Sequence, residues 1–138
     1  MTVASGTEAV DMDMKTAITV TGPGYILTHD STNNTLDLCA ATEYGVFISA
    51  DESSRDAAGD LETASATVSA YPLGGVHLVV AKTSDTFTTG DTVYCGAGGL
   101  ATVTAGSDKK LGLYVGKGDA SVAAGSLVRI ATHGAEIA

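Results

Sequence analysis

The sequence predicts an all-β protein: a small β-barrel or β-sandwich built from two tandem related β-units. Three observations carry that reading. Apolar and polar residues alternate in short runs, the period of two that turns one side-chain set toward a core and the other outward. Gly- and Asn-containing turns separate the runs. Glycine landmarks then recur at a near-constant spacing along the chain.

The landmarks fall in three pairs. Gly24-Tyr25-Ile26-Leu27 parallels Gly90-Asp91-Thr92-Val93-Tyr94, and Tyr44-Gly45-Val46-Phe47-Ile48 parallels Leu111-Gly112-Leu113-Tyr114-Val115. Ala58-Gly59-Asp60-Leu61 parallels Ala124-Gly125-Ser126-Leu127. The matched glycines Gly24/Gly90, Gly45/Gly112 and Gly59/Gly125 are 66, 67 and 66 residues apart, and Val10 stands opposite Val76 at the same spacing. One compact domain results, with an arm at 1–9, a first unit at 10–75 and a second at 76–138.

Taken in order, residues 1–10 are small and polar, carry no turn chemistry and read as a flexible arm able to go extended. Thr2, Val3, Ala4 and Val10 are its candidate contact residues. In the first unit, Asn33-Asn34 sits between strands at 25–28 and 35–39. In the second, Gly98-Gly99 sits between strands at 92–95 and 100–104. Asn and Gly tolerate the positive φ that tight hairpins demand. The best helix candidate is 51–58, with Ser53 as a cap, but it has no apolar stripe and an acidic loop fits equally. Tyr71-Pro72-Leu73-Gly74-Gly75 reads as a rigid turn joining the units. Val76, Leu78 and Val80 then alternate with Gly75, His77 and Val79, and Leu111, Leu113 and Val115 with Gly112, Tyr114 and Gly116. Val128, Ile130 and Thr132 alternate with Leu127, Arg129 and Ala131.

A chain of 138 residues can bury a core without disulfides or metals. Seventeen glycines, two prolines and no tryptophan suit many turns between short β-branched strands. The net charge of −9 repels a phosphate backbone, so nucleic acid is not an expected partner. No run approaches the ~20 apolar residues that span a bilayer, and no basic flank precedes an apolar run, so neither a membrane nor a signal peptide is expected. Cys39 and Cys95 lack disulfide-framework spacing and read as buried thiols.

The chemistry-bearing residues are sparse. His29, His77 and His133 are far apart, with no zinc-ligand spacing, and His77 reads as an outward-facing strand residue. Asp51, Glu52, Asp56 and Asp60 cluster without the ligand order of a calcium loop. Gly96-Ala97-Gly98-Gly99 is followed by a strand and not by Lys-Ser/Thr and a helix, so it is a hairpin, not a phosphate cradle. No nucleophile elbow occurs. No catalytic, cofactor or metal site is expected, and the protein is read as a non-enzyme.

The same landmarks carry a family resemblance. "Gly-Asp-x-Val-Tyr", a Gly-containing hairpin, "x-Gly-x-Tyr-Val" and "Ala-Gly-Ser-Leu-Val-Arg-Ile" succeed one another along the chain. This order resembles the head decoration (cement) proteins of tailed bacteriophages and archaeal tailed viruses. Gly90-Asp91, Gly112 and Ala124-Gly125 are the anchors over 86–134, with Gly24, Gly45 and Gly59 standing in over 21–60. The acidic segment 51–60 and the 71–75 linker depart from the simplest members. The resemblance implies a β scaffold on the outer face of an assembled capsid, made in the host cytoplasm. It implies the major capsid protein as partner, trimers on the particle, and no catalytic residues or cofactor. Alternatives are a turret, spike base or tail-associated β-protein, or a carbohydrate or small-ligand module, which the 5% aromatic content disfavours.

Because Cys39 and Cys95 are read as thiols, a reducing agent is expected to leave the melting temperature nearly unchanged. A large drop on reduction would show them bonded.

Overall fold

The structure, a computed structural model, describes residues 8–64, 66–82, 86–106, 108–116 and 120–133. Those residues form twelve β-strands and no helix. The first sheet holds β1 (Val10–Asp13), β2 (Ile26–Asp30), β3 (Thr35–Leu38), β4 (Phe47–Ser49) and β5 (Thr67–Pro72). The second holds β6 (Gly75–Val80), β8 (Thr92–Gly96), β9 (Leu100–Thr102), β10 (Lys110–Tyr114) and β12 (Leu127–Thr132). A two-stranded ladder joins β7 (Thr86–Phe87) to β11 (Ala120–Ser121).

Strand order runs β1-β5-β4-β2-β3 in the first sheet and β6-β12-β10-β8-β9 in the second, all neighbours antiparallel. Counted within its own half, each sheet therefore has the order first-fifth-fourth-second-third. Each also curls until its first and third strands meet at one parallel bridge, Met14 with Leu36 and Ala81 with Ala101. Local geometry agrees too. Gly24 and Gly90 have φ of 95° and 92°, and each donates its amide to the fourth strand of its own sheet, to the carbonyls of Ser49 and Tyr114. Gly59 and Gly125 have φ of 88° and 87°.

Both expected hairpins form. Thr35 pairs with Asp30 around a turn at 31–34, where Asn34 takes a φ of 54°. Asp30 organises that turn by accepting from the Asn33 side chain (2.9 Å) and the Thr32 amide (3.0 Å). The Asn33 hydrogen bond leads the interactions that hold its carboxyl below the usual range, with Lys15 adding to them at 3.8 Å. In the second hairpin Leu100 pairs with Gly96 around 97–99. The candidate helix at 51–58 is a loop. Ser53 is not a cap; it is buried, and its hydroxyl bonds the Val20 backbone.

Two alternation readings need correction. In β6 the inward residues are Val79 and the half-buried His77, whereas Val76 and Leu78 face outward at 58% and 52% exposure. His77 is held in place by a hydrogen bond to the Gly74 carbonyl (2.9 Å) and a tilted contact with Tyr71. In β10 a bulge between Lys110 and Gly112 breaks the alternation, so Leu111 and Tyr114 are buried and Leu113 is exposed. Such an extra residue bends the strand and re-aims the side chains beyond it. In β12, by contrast, Val128, Ile130 and Thr132 are buried as the alternation implies.

Two apolar clusters fill the interior. One lies within the first half, around Met14, Val20, Leu27, Leu36, Val68 and Ala70. The other is shared: Ile26, Cys39 and Ile48 of the first half pack with Val79, Phe87, Val93, Cys95, Leu111 and Ile130 of the second. Both cysteines are free and buried. The Cys39 thiol meets the Glu43 carbonyl at 3.3 Å and also interacts with the Cys95 thiol. The contact with Cys95 and burial push the Cys39 thiol up, so it stays protonated.

Backbone contacts sew the halves together. Ile26 donates to Gly99 O (2.8 Å), Gly99 to Cys39 O (2.7 Å), and Cys39 back to Ile26 O (2.9 Å). A Cβ at Gly99 would lie 2.6 Å from Ile26 O at a φ of 74°. A Cβ at Gly45 would lie 2.5 Å from Ile26 Cγ2 and 3.2 Å from Cys95 Sγ. Gly99→Ala and Gly45→Ala are each expected to cost about 1–3 kcal/mol, read as a lowered urea midpoint. Gly98→Ala, where a Cβ meets nothing within 4 Å, is the control for the cost of positive φ alone. Equal losses at Gly98 and Gly99 would show that close approach at the seam does not matter.

Candidate interaction surface

The six landmark glycines divide by position. Gly24 and Gly45 lie at the seam between the halves, where the Gly24 carbonyl accepts from Val80 N (2.9 Å). Gly112 lies against β12, where a Cβ would meet Ala131 O. Gly59, Gly90 and Gly125 occupy exposed turns with open space around them. None of the six meets a cluster of reactive side chains.

The other singled-out residues stay apart. His29 is exposed and bonds Asn34 (3.1 Å), His77 lies in β6 and bonds the Gly74 carbonyl, and His133 is exposed beyond β12. In the acidic segment, Glu52 pairs in a fork with Arg55 (2.7 and 3.1 Å), and Asp56 accepts from the amides of Ala58 and Asp60. These carboxylates are engaged by their own loop. Among the described residues no group of three or more His, Cys, Asp or Glu side chains is placed to hold a metal ion.

Of the arm candidates, Thr2, Val3 and Ala4 lie outside the described residues. Val10 belongs to a strand and not to the arm: it opens β1 and pairs with Ala70, while remaining 46% exposed.

The structure reveals an exposed apolar surface, for which β6 and β10 needed the corrections above while Leu127 faces outward as the alternation of β12 implies. Val76, Leu78, Leu113 and Leu127 are four of the five large apolar residues exposed among those described. Cross-strand pairing puts them on one face of the second sheet, because directly paired residues project to the same side. Val76 pairs with Ala131, which pairs with Leu113; Leu78 pairs with Arg129; Leu127 pairs with Val80. On either side of the bulge, Lys110 opposite Tyr94 and Leu113 opposite Thr92 also share this side, since Thr92 and Tyr94 are two residues apart. Beside Leu78, a cleft of about 370 Å³ is lined by Pro23, Gly24, Tyr71, Val76 and His77.

Charge is segregated in the same sense. Residues 1–75 hold eleven of the sixteen acidic residues and two of the seven basic ones. That half carries the whole net charge of −9, and 76–138 is neutral. Strands β1, β2 and β3 carry Asp11, Asp13, Asp30 and Asp37, whereas none of the five strands of the second sheet contains a carboxylate.

No protein-family model and no curated protein matches the chain. Among solved structures it is similar to the N base of the head fiber gp8.5 of bacteriophage phi29. The TM-score is 0.63 at 16% identity, over 94% of this chain and 98% of that one. The two share a fold along nearly their whole lengths.

Proposed function

We propose that the chain is a structural protein of a tailed-phage-type virion, bound to the outside of the assembled capsid as a decoration or cement protein. The observation that carries this reading is the end-to-end fold likeness to a phage head fiber base, together with the glycine landmarks that resemble head decoration proteins. On this reading the two halves are copies of one β-unit, which their common strand order supports. The direct partner is the major capsid protein, and copies gather in trimers on the particle.

The mechanism is physical. A protein that binds the intact shell but not dissociated subunits shifts the assembly equilibrium toward the shell by mass action. Repetition over a symmetric lattice multiplies a modest contact energy. Residues 1–9 are the proposed arm, adding backbone hydrogen bonds to an exposed strand edge of the shell.

A second reading has its own support: because the similar structure is the base of a head fiber, the chain is the base of a longer projection. The two readings differ in the mass of the virion polypeptide that contains this sequence.

Purified virus particles are expected to carry the chain at a copy number approaching that of the major capsid protein. Its absence from washed particles would overturn the proposal. Deleting residues 1–7 is expected to leave the melting temperature nearly unchanged and to weaken particle binding at least about tenfold, or about 1.4 kcal/mol. Undiminished binding would remove the arm from the mechanism.

A further inference from the structure

We propose that the outer face of the second sheet, centred on Leu78, Leu113 and Arg129, is the surface that docks on the shell, and that it recognises an apolar protein surface bearing carboxylates. The inference rests on the capsid reading and names the face that reading requires.

The apolar part is Val76, Leu78, Leu113 and Leu127, exposed by 41–58% and arranged over three adjacent strands. Soluble proteins normally blunt such a face with polar residues on the outward positions of an antiparallel sheet. A contiguous apolar patch there marks a contact site. The strands carrying it present β-branched and γ-branched side chains held by a full ladder, so docking orders little additional backbone.

The polar part is cationic. Arg129 stands between Leu127 and Ala131 and directly opposite Leu78, and Lys110 lies on the same side. A Cβ at Gly96 would touch Lys82 Cδ at 2.8 Å. Gly96 shares its face with Tyr94, so the Lys82 stem crosses this same side. All three cations are exposed. The ion pairs among the described residues involve Lys15 and Arg55, both in the first half, and none involves Lys82, Lys110 or Arg129.

Arg129 and Lys110 on strands without a carboxylate, and Lys82 beside them, all outside the ion pairs among the described residues and within a chain of net charge −9, define the partner. Carboxylates on the partner are attracted locally, while the acidic first half repels any surface that is anionic over its whole extent. An anionic membrane or a nucleic acid presents just such a uniform field, and a protein surface does not. A second copy meeting this face with the same face would set Arg129 near its own equivalent, like charge against like.

The test uses particles of the parent virus that lack the chain, with full-length protein added back and measured by co-sedimentation. Leu78→Asp combined with Leu113→Asp, and separately Arg129→Glu, are the variants. All three positions are exposed, and the melting temperature of each variant is compared with the parent protein. The parent protein is expected to bind, more weakly at about 0.5 M than at about 0.1 M salt. The double variant is expected to lose at least about tenfold in binding. Arg129→Glu is expected to lose binding together with part of its salt dependence. Binding by the parent protein and both variants alike would overturn this face while leaving the capsid reading intact. Failure of the parent protein to bind would overturn both. Two further results would also overturn the inference: conversion of a solution oligomer to monomer by these substitutions with particle binding unchanged, or binding of the parent protein to anionic phosphatidylserine vesicles lost in the same variants.

Discussion

The two sheets can share one core only because the chain lacks side chains where they meet. At Gly99 the tip of the second hairpin reaches the backbone of Ile26 and Cys39, and the three residues are joined by three hydrogen bonds. At Gly45 the space a side chain would fill is taken by Ile26 and Cys95. A methyl group at either site would meet backbone or a packed core residue, neither of which moves cheaply. From this close approach come the joint burial of Ile26, Ile48, Val93 and Leu111, the meeting of the two thiols, and the anchoring of Val80 to Gly24. The backbone N–H and C=O groups of Ile26, Cys39 and Gly99 are all paired with one another, as burial of such groups requires.

Fixing the seam also decides which surfaces are left outside. The first half contributes Ile26, Cys39 and Ile48 to the shared core and keeps a second apolar cluster of its own. The second half commits the inner face of its sheet to the shared core, and Val76, Leu78, Leu113 and Leu127 on its outer face stay 41–58% exposed, with Gly24 of the first half beside Leu127. The outward side chains of β6, β10 and β12 are apolar or cationic, while the aspartates of β1, β2 and β3 belong to the other sheet. Two sheets with the same strand order thus present different chemistry to solvent.

Much of the architecture was legible because it depends on local chemistry. Asn34 and Gly98-Gly99 mark the hairpins, since few other residues take their positive φ without strain. β12 was legible because its alternation runs unbroken from Leu127 to Thr132. β6 was not: Gly75 to Val80 contains two plausible side-chain sets, and period two says that they face opposite ways without saying which is inside. His77 is drawn inward by Gly74 and Tyr71, contacts made only after the chain turns at 73–74. Leu113 was misplaced by a bulge, which adds a residue without leaving a mark in composition. The loop at 51–60 shows the same limit, because Ser53 reads as a cap until Val20 arrives from 33 positions away.

By itself the sequence determined the all-β class, the two-fold recurrence of glycine landmarks, the hairpins and the unbonded thiols. These rest on period, turn stereochemistry and residue type, which act over a few neighbouring residues. Only the tertiary structure decided that the halves share a core through Gly45 and Gly99, that Val76 and Leu78 point outward, and that Arg129 and Lys110 lie among them. Those outcomes depend on which face of each sheet meets the other. That choice is made by packing between residues about half the chain apart, such as Ile26 with Gly99 and Gly45 with Leu111.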